Sequence, residues 1–109
     1  MEKQITFSAK GVVLGNYWGG GQGAYEARQI SANSEEEIIK LAEQGIKDGS
    51  LDSGMGYERL VGAALTITKT TRVEIDGQAF FNREHNDVLV GELSEEESDF
   101  LLEVLESRF

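Results

Sequence analysis

Cysteine and proline are both absent from this chain of 109 residues, and histidine occurs once. Without cysteine there is no disulfide, no zinc–thiolate site and no thiol nucleophile. Without proline the chain has no rigid spacer. One histidine, His85, is too few for a triad or a histidine-based metal site. Among Asn82, Arg83, Glu84 and Asn86 it reads as a solvated residue at a polar hairpin tip. Bases are scarce as well, ten against twenty acids, for a net charge of −10. Phosphate contacts need Lys and Arg, so direct binding to nucleic acid is not expected. No apolar run approaches the length of a membrane span, so no membrane partner is expected. Met1-Glu2-Lys3-Gln4 leads straight into an alternating strand, so the expectation is a cytoplasmic chain without a leader, folding as one domain over residues 1–109.

Catalytic signals are equally sparse. No motif joins a nucleophile to a base, and nothing buries a carboxylate pair to tune its pKa. Asp48-Gly-Ser-Leu-Asp-Ser-Gly54 starts like a calcium loop, with oxygen ligands at alternate positions. Its glycine is one residue late, and Arg59 stands where a bidentate Glu is needed, so a polar turn is the better reading. The expectation is a non-enzymatic protein with no cofactor and no metal.

What is present is a β pattern. Ala63, Leu65 and Ile67 alternate with Ala64, Thr66 and Thr68, and Val73 and Ile75 alternate with Arg72 and Glu74. A period of two marks a half-buried sheet. Asp76-Gly77 closes a type I′ hairpin, which sets Ile75 against Gln78 and Val73 against Phe80. Phe80 and Phe81 then face opposite sides of the sheet, and an exposed Phe81 is a candidate contact. This meander is expected to hold three or four strands ending near Leu93. Gln4 to Leu14 is a first strand with a bulge or bend at Gly11, and Ala24 to Ser31 a second. Ser34-Glu-Glu-Glu37 and Ser94-Glu-Glu-Glu97 are capping boxes that open two helices. Gly49 ends the first helix. Its buried stripe is Ile38, Leu41, Ala42 and Ile46; the stripe of the second is Phe100, Leu101, Val104, Leu105 and Phe109. The order β-β-α-β-β-β-(β)-α gives an α+β fold, an antiparallel sheet of five to six strands with both helices on one face.

Two surfaces are candidates for binding. Gly15 to Gly23 contains five glycines in nine residues, with Tyr17 and Trp18 as aromatic anchors beside Gly19, Gly20 and Gly21. From Asp87 to Arg108 there are eight acids and one base. Glu92, Glu95, Glu96, Asp99, Glu103 and Glu106 form the principal acidic face, and Glu35, Glu36 and Glu43 a second. Glu103 and Glu106 lie near the negative end of the helix dipole, where acids are slightly unfavourable, so capping does not explain them. Carboxylates in a row imitate phosphate charge, which points to a basic nucleic-acid-binding protein as partner. The alternatives are a small-ligand-binding domain or a homodimer joined by a sheet edge or Phe81.

Leu14-Gly-Asn-Tyr-Trp-Gly-Gly-Gly-Gln-Gly-Ala-Tyr25, Asp52-Ser-Gly-Met-Gly-Tyr57 and Thr71-Arg-Val-Glu-Ile-Asp-Gly77 together resemble small acidic proteins of bacterial phages and mobile elements. Such proteins include anti-CRISPR and antirestriction inhibitors, and the likeness to these rests on size and charge. It implies an inhibitor of host defence and assigns no role to any residue.

Overall fold

A computed structural model describes residues 2–108. The order is β1 (Glu2–Asn16), β2 (Gln22–Glu26), β3 (Ile30–Ala32), α1 (Glu35–Asp48), β4 (Arg59–Ile75), β5 (Gln78–Gly91) and α2 (Glu95–Arg108). The five strands form one antiparallel sheet, β2-β1-β4-β5, with β3 also pairing β1. The expected α+β class, antiparallel sheet and two helices are present.

The strand count is distributed differently. Where a three- or four-strand meander was expected, there are two long strands. No turn residue interrupts Arg59 to Ile75, and the chain reverses only at Asp76 (φ 51°) and Gly77 (φ 80°). His85 is not at a hairpin tip. It lies in mid-β5 opposite Thr68, whose Oγ1 is 2.9 Å from Nδ1. Polar residues on an edge strand face water without breaking the strand.

The additional strand comes before α1. The outer edge of β1 changes partner, pairing with β2 over Val12–Asn16 and with β3 over Phe7–Ala9. Between them the Ala27 N–H donates to the Gly11 carbonyl at 2.8 Å. Gly11 itself does not bend β1, because the β1–β4 register runs through it. A Cβ there would press on the Ala64 carbonyl and Leu65 Cα, so glycine permits close backbone approach. The bulge falls at Leu14/Gly15, where Val61 is the extra residue on β4. It sends Leu60 to one face of the sheet and Val61 to the other.

The helices lie on opposite faces, not on one. Ala9, Val13, Ala63, Leu65 and Ile67 pack with Ile38 and Ala42 of α1. Val12, Leu14 and Ala64 pack with Leu101 and Leu105 of α2. Val12-Val13-Leu14 and Ala63-Ala64-Leu65 are apolar at both parities, which a sheet covered on both sides requires. The α1 stripe is Ile38, Ala42 and Gly45; Leu41, expected inside, is 45% exposed. Phe100 is likewise exposed, and Phe109 lies outside the described residues. Both caps form: Ser34 Oγ accepts from the Glu37 N–H and Ser94 Oγ from the Glu97 N–H, each at 3.1 Å. Glu97 completes its box by accepting from the Ser94 N–H, whereas Glu37 reaches one residue further, to Asn33.

The molecule is elongated, 59 × 25 × 21 Å. The buried core spans Ala9–Gly15, Leu60–Ile67 and Val90. Beyond it, three strands continue as an arm tipped by Asp76-Gly77, with Ile5, Ile75, Phe80 and Phe81 exposed. No helix among the described residues is long and apolar enough to cross a membrane.

Candidate functional site

At the pole opposite the arm, two loops are locked together. The first is the turn Tyr17–Gly21 between β1 and β2. The Tyr17 N–H donates to the Gly21 carbonyl at 3.0 Å and the Gly20 N–H to the Tyr17 carbonyl at 3.1 Å. Gly20 and Gly21 have φ of 99° and 86°, a region L side chains rarely adopt. The second loop, Asp52 to Tyr57, is organised by one carboxylate. Asp52 accepts from the N–H groups of Gly54, Met55, Gly56 and Tyr57 at 2.8–3.4 Å. Partial burial opposes its ionisation, but these four donors outweigh that and hold its pKa below the usual carboxylate value. Where a polar turn was expected, the Asp52 carboxylate gathers four backbone N–H groups. The legible signal was an Asp with glycines two and four residues on.

Aromatic rings join the loops. Tyr57 lies over Gly15, and Tyr17 over Gly23, each where a Cβ would collide with the ring. The two rings are 5.3 Å apart at 41°. The Tyr57 hydroxyl is buried without a sound hydrogen bond. Burial first, then the neighbouring Tyr17, push its pKa up to about 12. Trp18 Nε1 donates to the Gly56 carbonyl at 3.2 Å, yet the indole is 76% exposed, with Met55 also exposed on the second loop.

The acidic residues divide into two sets on opposite faces. Glu92, Glu95, Glu96, Asp99, Glu103 and Glu106 are all exposed, on α2 or just before it. Glu35, Glu36 and Glu43 lie on α1, across the sheet, so the two sets are not one surface. Glu35 accepts from Asn86 Nδ2 at 2.7 Å, half-way along β5. Gln22, at the end of the glycine-rich turn, donates through Nε2 to Glu97 in the first turn of α2 at 2.8 Å, which ties that turn to the helix of the first set. The ion pair Arg72–Glu74, 3.2 Å and solvent-exposed, lies on the arm, away from α2. Phe81 is exposed as anticipated, but on the distant arm.

The carboxylates of the calcium-like stretch are engaged by backbone. Asp48 accepts from the Ser50 N–H at 2.8 Å, and hydrogen bonds from the Ser50 side chain and backbone lower its pKa. Among the described residues, no three His, Asp or Glu side chains are grouped to hold a metal ion. No protein-family model, curated protein or solved structure matches this chain.

Proposed function

We propose that this chain is a non-enzymatic binding domain for a basic protein, with Trp18 as anchor and the α2 carboxylates as an electrostatic flank. The observation that carries this reading is the three-quarters-exposed indole of Trp18 on a loop fixed by its own backbone bonds and by Gly56. A large apolar group held in water by a rigid loop loses little conformational entropy on docking, and tryptophan is a frequent interface hot spot. The Gln22–Glu97 bond ties the end of the glycine-rich turn that carries this anchor to the first turn of α2. Exposed carboxylates along α2 steer a positively charged surface toward it. The partner class with such a surface is a protein that holds nucleic acid in a Lys/Arg groove. An inhibitor of a host-defence protein of that class, as phages and mobile elements encode, is the form that small size and charge favour.

The test begins with capture from bacterial lysate, followed by affinity measurement on the captured protein. Trp18→Ala should weaken binding by about 30-fold or more. Changing Glu96, Asp99, Glu103 and Glu106 to Lys should slow association and flatten its salt dependence. Equal affinity of both variants and the unaltered chain would overturn the proposal.

A further inference from the structure

We propose that two copies of this chain pair through the outer edge of β5, antiparallel about a two-fold axis at His85, to make one continuous sheet. β5 is an edge strand of fourteen residues, and no other described backbone pairs with its outer side. The opposite border of the sheet is divided between five-residue β2 and three-residue β3. Short interrupted edges resist pairing, while a long straight edge invites it.

The hairpin fixes which backbone groups are free. A two-residue turn makes Ile75 and Gln78 a hydrogen-bonded pair, so even-numbered β5 residues bond inward to β4. Odd-numbered residues from Ala79 to Leu89 therefore point N–H and C=O outward. An antiparallel self-pairing keeps odd opposite odd, and the side chains then select the register. With His85 on the axis, Arg83 stands opposite Asp87 of the second copy, and Phe81 opposite its Leu89. Phe81 is 55% and Leu89 42% exposed in the single chain, and both are on the α2 face of the sheet. Each of these pairs occurs twice. On the other face Phe80 comes beside Val90 of the second copy, next to a groove of about 610 Å³ lined by Ile46, Leu60 and Gly91 among others. Moving the axis to Glu84 sets Glu84 against itself and Phe81 against Asp87. Moving it to Asn86 sets Arg83 against Leu89 and Glu84 against Val88. Only the His85 register matches charge with charge and apolar with apolar.

Repulsion opposes the pairing. Each chain carries −10, and Glu84 and Glu35 of both copies approach the axis on the α1 face. Association should therefore tighten as salt rises, the reverse of binding to a basic partner.

Sedimentation or light scattering over a range of concentrations tests the idea. The unaltered chain should dimerise, more strongly in high salt. Arg83→Glu or Asp87→Lys alone should weaken the dimer at least about tenfold, and the two together should restore it. Because the chain has no cysteine, single-cysteine variants read the register directly. His85→Cys should give a disulfide-linked dimer, since hydrogen-bonded antiparallel pairs lie about 5.5 Å apart at Cα, within disulfide reach. Glu84→Cys should link far more slowly. A monomer at every concentration, a dimer indifferent to both single reversals, or faster linkage through position 84 would overturn the proposal.

Discussion

Asp52 holds more of the Trp18 pole together than any other side chain, since four backbone N–H groups converge on its carboxylate. Removing it leaves those donors to water and releases Gly56, to which Trp18 is bonded. Asp52→Ala should lower stability by about 1–2 kcal/mol, measured by urea unfolding at neutral pH. The sign with pH follows from the depressed pKa. Its folded value lies below 3.8, so the contribution is present above that and disappears as pH falls through the folded pKa. The difference between the unaltered chain and the variant should accordingly shrink at about pH 3. A difference unchanged between the two conditions would mean that charge on Asp52 does not matter.

At the level of elements, the two helices are matched in their openings and differ in what they expose. Each begins with a serine cap and three glutamates, and each buries a narrow stripe against its own face of the sheet. Ser34→Ala removes the acceptor for the Glu37 N–H and should cost about 1 kcal/mol, whereas Ser34→Asp should be nearly neutral. Chemical denaturation of the three chains checks this, and equal loss in both variants would show that the cap is not the reason. The caps, the Asp76-Gly77 hairpin and the alternation were legible because each is local. The division of β1's edge between β2 and β3 was not, since no local residue marks a change of partner. The strand β3 is three residues long and its neighbours Arg28 and Gln29 are ordinary polar residues.

Across the whole molecule, charge and shape are segregated. The arm beyond the core carries acids and bases in balance, among them Lys3, Arg72 and Arg83 against Glu2, Glu74 and Glu84. The body holds the excess acid on both faces. A compact body of one sign repels itself, so the thermal midpoint should rise with added sodium chloride. A midpoint that falls with salt would show instead that local ion pairs dominate. The proposed contact with a basic partner lies at the Trp18 pole, whereas the proposed pairing with a second copy runs along the β5 edge from Phe80 to Val90. The two proposals use different surfaces and predict opposite responses to salt.

The sequence by itself determined the α+β class, the two capped helices, the I′ hairpin and the glycine-rich turn that carries Trp18. These depend on periods, caps and turn chemistry within a few residues. It also held the sign of the charge. Only the tertiary structure decided that α1 and α2 lie across the sheet from each other, because the choice of face rests on contacts far apart in the chain. Val12-Val13-Leu14 carries apolar residues at both parities and so permits either arrangement until Ile38 and Leu101 are placed. The same holds for the Trp18 pole. Tyr57 meets Gly15 and Gly56 meets Trp18 only after β4 has returned along β1, bringing together loops that the chain separates by a whole helix.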